Sequence, residues 1–449
     1  MSPSRRWLVL AVPLFCLPLF VGLGRADIEN DEAIYSFAVD RLLESGDWLA
    51  PKSIPHEDAA FLEKPPLKFW IVAGPMHLGL LPNDEFGMRF WDALFGGLAF
   101  VYVFAIGSVL AGPVCGLTAV LVLFVHRPLL FEHGLRSNNM EAALLLSYCG
   151  GVFHFLRWGT ADLARTQRQH AVAVGLWFTL GFMTKFVAVL FLPLVLALAS
   201  LPHAHLRRRL AGDVRLWAAV AVGVVALSAP WFIYAHQRFG LLLWETILRE
   251  HVFNRFTNFL DPNHVHPWHF YATTLYHWLM ESSSAALAAP GSVVLAVQTL
   301  RRRSFEGGTI LLWLLVPLGL MSLGTSKLYH YAYPFVPPAA LAAGYLAAWL
   351  VTMGSLVLNK GVGVLDKHVT ARPGLVTVLS RPVLRAVLQV VVWSALAIAT
   401  VSVLYEPVRF VIGTAVVFRS SGVLRPAAVA LLLGVLAGAF IGLGSLYYV

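Results

Sequence analysis

The stretch RFWDALFGGLAFVYVFAIGSVLAGPVCGLTAVLVLFVHRPLLF, residues 89–131, decides the fold. Its apolar residues run continuously on either side of Gly112-Pro113 and do not alternate with polar ones. Each half is roughly 20 residues long, enough for a helix to cross the hydrocarbon core. Alternation would mark a barrel strand. Lipid tolerates only helices or closed barrels, because no water reaches an unpaired backbone group there.

Working outward, comparable runs occupy 7–24, 140–156, 216–235, 271–299, 308–324, 328–353, 386–404, 408–418 and 426–448. The stretch 170–201 is too long for one ordinary helix and has arginines on both flanks: Arg157, Arg165 and Arg168 before it, Arg207–Arg209 and Arg215 after it. Positive flanks stay in the cytoplasm, so this stretch enters and returns as two short helices, with Lys185 near the outer turn. The expectation is an all-α, polytopic transmembrane bundle of about 13 crossings, with its C-terminus outside. A single transmembrane domain over 1–449 is expected, with large outer loops at 25–88 and 236–270 and no C-terminal soluble domain.

Composition agrees. Hydrophobic residues make up 58% and charged residues 13%, against about 45–50% and about 25% in soluble domains. More than half of the 33 Lys and Arg fall in the predicted inner segments, and most of the 24 Asp and Glu fall outside or at the outer boundary. The net charge of +9 therefore reports topology and makes no case for nucleic acid. Arg5 and Arg6 followed by the apolar 7–24 resemble a signal sequence, but a convincing small-x-small cleavage site is missing, so a retained first helix is expected. Cys16, Cys115 and Cys149 each sit inside an apolar run, without metal-ligand spacing, and read as packing residues.

The first outer segment carries the most pattern. Asp27, Glu29, Asp31 and Glu32 cluster where the first helix exits, and 33–43 has helical spacing with Ile34, Phe37, Ala38 and Leu42 on one face. That spacing predicts an amphipathic juxtamembrane helix. Five segments follow one another in order: NDEAIYSFAVDRLLESGDWLAP (30–51) with FLEKPPLKFW (61–70), EHGLRSNNMEAALL (132–145), GFMTKFVAVLFLP (181–193), LREHVFNRF (248–256) and TSKLYHYAYPFVPPAAL (325–341). Together they resemble the bacterial polyprenyl-phosphate-sugar glycosyltransferases of GT-C architecture. That family includes the lipid A aminoarabinose transferases and the protein O-mannosyltransferases.

The resemblance implies an inverting glycosyltransferase in the bacterial inner membrane, with its active site on the periplasmic face. The donor is a polyprenyl-phosphate sugar and the acceptor a lipid, glycan or protein. Such a transfer needs a carboxylate to take the acceptor's proton and cations to stabilise the departing phosphate. The family's base falls on Asp31, which otherwise reads as a helix cap. Glu141 stands where relatives carry Asp and reads as a base or acceptor orienter, or as an ion-pair partner of Arg136. The donor-phosphate cations fall on Lys64, Arg255, Lys327 and Lys185. Glu32, Arg136 and Tyr331 read as acceptor-side residues.

Glu63 and His251 match positions that can share a divalent metal (Zn, Mg or Mn). Two protein ligands are few for zinc, so a polar contact is the alternative and a requirement for no cofactor is the default expectation. His264, His266 and His269 read as a polar loop. Two other functions stay open: a lipid-linked sugar transporter or flippase, and an inactive relative serving as a scaffold. A transporter should show repeated halves and charges at mid-membrane, whereas these charges gather at one face.

Overall fold

The structure is a computed structural model and describes residues 3–54, 57–258, 261–366, 408–412 and 415–420. The first helices are α1 (Pro3–Phe20), α2 (Asp31–Ser45), α3 (Leu67–His77), α4 (Glu85–Ala111), α5 (Pro113–Phe124) and α6 (Arg127–Phe131). There follow α7 (Glu141–Thr160), α8 (Ala164–Lys185), α9 (Phe191–Ser200), α10 (Ala204–Gly212) and α11 (Val214–Phe239). The later part holds α12 (Leu241–Trp244), a π-helical segment Glu245–Asn254, α13 (Arg255–Thr257), α14 (Phe270–Glu281), α15 (Ala285–Arg302), α16 (Phe305–Ser322) and α17 (Val336–Asp366). Five of the described helical stretches are long and apolar enough to cross a membrane: Glu85–Ala111, Ala164–Val189, Val214–Phe239, Phe305–Ser322 and Tyr329–Met353. Ala11–Phe20, Pro113–Phe124 and Phe191–Ser200 are shorter apolar helices.

The fold-back in 170–201 is present. α8 ends at Lys185, a 3₁₀ turn Phe186–Val189 follows with Phe186 at φ 39°, and α9 starts at Phe191. Pro193 explains the break. It has no N–H, and its ring would strike the carbonyl four residues back if the helix ran through; in the first turn of a new helix neither matters.

Two of the expected spans are corrected. The run 271–299 is two helices, interrupted at Ser282-Ser283-Ser284, where Ser283 takes φ 54° and the Ser282 hydroxyl bonds to the Trp278 carbonyl at 3.2 Å. Such side-chain bonds to backbone compete with the helix ladder. The run 408–418 is not a helix: β3 (Val408–Ile412) pairs antiparallel with β4 (Ala415–Ser420). Its β-branched residues on either side of Gly413 favour a short hairpin over a span. The predicted spans 386–404 and 426–448 lie outside the described residues, and with them the predicted total and the outward C-terminus.

The amphipathic helix is α2, but its inner face differs from the predicted one. Glu32, Ser36, Ala38, Val39 and Leu42 are buried and Ile34 is exposed. Asp31 and Glu32 stand in its first turn, where the helix dipole favours acids. It ends on Gly46 at φ 69°, whose N–H bonds back to the Leu42 carbonyl. A small hairpin, β1 (Lys52–Ile54) with β2 (Glu57–Ala60), follows it.

The chain divides into two compact units. The first comprises Met1–Tyr102, Pro128–Tyr276 and Arg303–Pro337. In it Val39, Leu42, Phe61, Phe69 and Val72 pack α2 against α3, and Leu62, Met183, Phe186, Trp231 and Ile247 form a second cluster. The second comprises Val103–Arg127, His277–Arg302 and Pro338–Val449. There a Cβ on Gly344 of α17 would lie 2.2 Å from the Cys115 carbonyl oxygen of α5, so glycine sets that close helix contact.

Candidate functional site

The first unit contains a cavity of about 140 Å³ whose polar lining comes from segments far apart in sequence. Lys64 enters it just before α3, after the buried Phe61 and Leu62 and ahead of Pro65-Pro66, which stiffen the chain. Lys185 arrives from the end of α8, Glu141 from the start of α7, His251 and Arg255 from the π-helical segment and the helix after it, and Tyr331 from the 3₁₀ turn Tyr329–Phe335.

These groups are paired. The Lys185 ammonium donates to Glu141 Oε1 and lies 5.0 Å from the Tyr331 ring centroid. Arg255 donates through Nη1 to the Tyr331 hydroxyl, and its Nε is buried without a partner. Lys64 Nζ is 3.7 Å from Glu63 Oε2, and His251 Nε2 is 3.5 Å from the same oxygen. Burial lowers the Lys64 ammonium to about 8, against the pull of Glu63 and with the help of Lys185 and Arg255. Burial, then Lys64 and Arg255, lower His251 to about 3, so its ring is neutral at physiological pH. Lys64, Lys185 and Arg255 face Glu63 and Glu141, which leaves one positive charge uncompensated. Like charges gathered in a low-dielectric site are costly, and an incoming anion relieves that cost.

Asp31 is half exposed at the start of α2, with Oδ2 3.8 Å from His133 Nδ1. The His133 ring stacks on His330 at 4.8 Å, and His330 Nε2 lies 3.6 Å from Glu141 Oε1. Two imidazoles thus stand between the carboxylates of Asp31 and Glu141. Neither histidine is singled out by the sequence, although both fall inside quoted segments. Their stacking depends on residues almost 200 positions apart, and local spacing carries no trace of it. Tyr35 is equally hidden: burial first, then Glu141 and Asp31, raise its hydroxyl well above the ordinary range.

Three predicted site residues go elsewhere. Glu32 turns inward and takes Arg89 Nε at 2.7 Å and Nη2 at 2.8 Å, while its Oε1 also accepts from the Asn138 backbone N–H at 2.7 Å. Arg89 further donates to the carbonyls of Leu23, Ala26 and Asp27, which pins the segment leading into Asp31. Beneath it, buried Lys68 holds Asp92 at 2.7 Å and Asn138 at 2.8 Å. Arg136 does not pair with Glu141. It donates to the Leu19 and Val21 carbonyls at the end of α1, where orphan carbonyls attract a cation. Lys327 is buried but not in the cavity lining. Its ammonium donates to the carbonyls of His266 at 2.9 Å and Gly324, fastening one loop to another.

Glu63 and His251 alone do not make up a zinc site. Glu63 and His251 supply two ligands, a catalytic zinc takes three from the protein, and Lys64 and Arg255 beside them repel a cation. No group of three or more His, Cys, Asp or Glu able to hold a metal occurs among the described residues. His264 faces Asp261, His266 stacks on Phe270 and His269 meets Trp268.

A family model described as dolichyl-phosphate-mannose-protein mannosyltransferase matches residues 63–234. Undecaprenyl phosphate-alpha-4-amino-4-deoxy-L-arabinose arabinosyl transferase 1 of Pseudomonas fluorescens is 28% identical over 377 residues, covering 81% of this chain and 64% of the relative. The corresponding enzyme of Pectobacterium carotovorum is 27% identical, covering 79% and 60%. The chain thus spans less than two thirds of the length of these curated relatives. Among solved structures, ArnT from Cupriavidus metallidurans bound to undecaprenyl phosphate superposes with a TM-score of 0.66 at 19% identity, over 98% of this chain and 77% of that one. The archaeal oligosaccharyltransferase AglB from Archaeoglobus fulgidus gives 0.54 at 15% identity, over 84% and 53%. The fold is of the all-α GT-C membrane type, and the chain resembles the undecaprenyl phosphate-aminoarabinose arabinosyl transferases.

Proposed function

We propose that this chain transfers a sugar from a polyprenyl phosphate to a lipid, glycan or protein acceptor, in the inner membrane and at its periplasmic face. The observation that carries the reading is the cavity where Lys64, Lys185 and Arg255 converge with only Glu63 and Glu141 to balance them. In the transfer, an acceptor hydroxyl oxygen bonds to the anomeric carbon as the bond from that carbon to the phosphate oxygen breaks. The electron pair leaves with the phosphate, and a single displacement inverts the centre. Charge grows on phosphate oxygens as the sugar departs, so fixed cations lower the barrier.

The hydroxyl proton goes to Asp31. Its half-exposed carboxylate is accessible, whereas Glu141 is held by Lys185. Glu141 then keeps Lys185 and His330 in place. The names of the relatives make undecaprenyl phosphate carrying 4-amino-4-deoxy-L-arabinose the first donor to try.

The test is purified protein in detergent, given labelled polyprenyl-phosphate sugars and native membrane extract. Release of free polyprenyl phosphate is expected. Protein that moves the lipid across liposomes but never cleaves it is a transporter, and the reading fails.

A further inference from the structure

The first unit holds a second space that sugar transfer does not use. α7 and α9 have their C-terminal ends, and α8 and α11 their N-terminal ends, at the level of α10, away from Glu141 and Lys185. There a cleft of about 420 Å³ lies among these helices, lined by Phe155, Val174, Leu196, Leu210, Trp217 and Val220 among others. On α8, Val172 and Leu176 are exposed, and on α11 so are Val222 and Val225, so the cleft opens towards hydrocarbon.

Two features are at odds with a merely apolar crevice. Trp217 Nε1 is buried with no acceptor, whereas the neighbouring Trp158 Nε1 donates to Asp213 at 3.2 Å. An unpaired N–H in an apolar place is unfavourable, and a bare hydrocarbon chain cannot satisfy it. The second feature is charge. α10, which supplies Leu210 to the lining, also carries exposed Arg207 and Arg208, and exposed Arg215 lies two residues before Trp217. Arg209 gives its Nη1 to the carbonyls of Trp158 and Gly159, whereas Arg207 gives one N–H to the Leu201 carbonyl and Arg208 its Nε to the Ala204 carbonyl at 3.4 Å, with the rest of each exposed guanidinium facing outward.

We propose that this cleft binds an anionic glycerophospholipid of the inner leaflet. An acyl chain fills the apolar lining, an ester carbonyl accepts from Trp217 Nε1, and the phosphate headgroup rests among Arg207, Arg208 and Arg215. Basic pockets between helices on the cytoplasmic side take such headgroups. A polyprenyl tail offers no oxygen to Trp217, and its phosphate belongs in the other cavity.

Native mass spectrometry of the purified protein tests this with phosphatidylglycerol and phosphatidylcholine of matched chains. Phosphatidylglycerol should be retained about tenfold better or more. Replacing Arg207, Arg208 and Arg215 together with Gln should abolish that preference, each arginine contributing about two- to fivefold. Ala221→Trp, which fills the cleft, should release both lipids, and Trp217→Phe should weaken both without altering their ratio. Equal retention of the two lipids, indifferent to the arginine variant, reduces the cleft to ordinary lipid contact and overturns the proposal. So does one-for-one displacement of phosphatidylglycerol by undecaprenyl phosphate. Neither readout depends on sugar transfer, so this proposal and the proposed function fail separately. The arginines are exposed, and their variant stays informative even if Ala221→Trp does not fold.

Discussion

The two ends of the first unit handle charge in opposite ways. At the site end, Arg89, Lys68 and Glu141 are buried and Lys185 partly so, and each charge has a partner within hydrogen-bonding reach. At the other end, Arg157, Arg165, Arg168, Arg207, Arg208 and Arg215 are exposed and largely unaccompanied by acids. Exposed arginines orient a chain in the membrane and need only water or headgroups. Buried ions are costly to desolvate and persist only where partners are arranged around them. The difference separates charge that sets topology from charge that builds a site.

Substitutions should therefore be severe at one end and mild at the other. Arg89→Met leaves Glu32 buried and unpaired and removes the ties to Leu23, Ala26 and Asp27, so a loss of about 3–5 kcal/mol is expected. A large drop in melting temperature in detergent would show it; an unchanged melting point would mean the pair is dispensable. Asp31→Asn keeps shape but not basicity, and turnover should fall by about two orders of magnitude with folding intact. Near-normal turnover in a single-turnover assay would transfer the base role to Glu141.

The pH dependence of donor binding comes next. An empty-site Lys64 at about 8 is charged below that pH and neutral above it. A bound phosphate must recharge it, so binding takes up a proton above about pH 8. Undecaprenyl phosphate affinity should be level below that point and fall above it to a plateau a few-fold lower, where neutral Lys64 no longer contributes. His251, at about 3, adds no step in this range. In Lys64→Arg the break should vanish, and affinity that stays flat to pH 10 in the native chain would contradict the assignment. The smallest effect is expected at the opposite end: Arg207→Gln with Arg208→Gln should leave turnover within about twofold, since solvated charges away from such contacts matter little. A tenfold loss of turnover there would blur the contrast between the two ends.

Much of this was legible in the sequence, for reasons that differ by residue. The spans follow from what lipid forbids, and the break after Lys185 follows from arginine flanks and Pro193. Lys64, Glu141, Lys185, His251, Arg255 and Tyr331 stood in recognisable segments, and the fold does bring them to one cavity. Glu32 misled because one residue along a helix rotates a side chain by about 100°. Asp31 faces outward and Glu32 inward, and the Arg89 that claims Glu32 is 57 positions away. Lys327 misled because its partners are backbone carbonyls, which carry no sequence signal. The 408–420 hairpin was hidden by composition: β-branched apolar residues suit a lipid-facing helix and a strand alike.

The central claim is that the cavity cations act on the departing phosphate more than on the bound donor. Turnover and undecaprenyl phosphate affinity, measured side by side for Lys64→Ala, test it most directly. Turnover should fall roughly ten- to a hundredfold while affinity falls only a few-fold, and Lys64→Arg should recover part of the turnover, because a planar guanidinium replaces a compact ammonium imperfectly. Equal losses in both quantities would make Lys64 a binding residue alone, and no loss in either would remove it from the site.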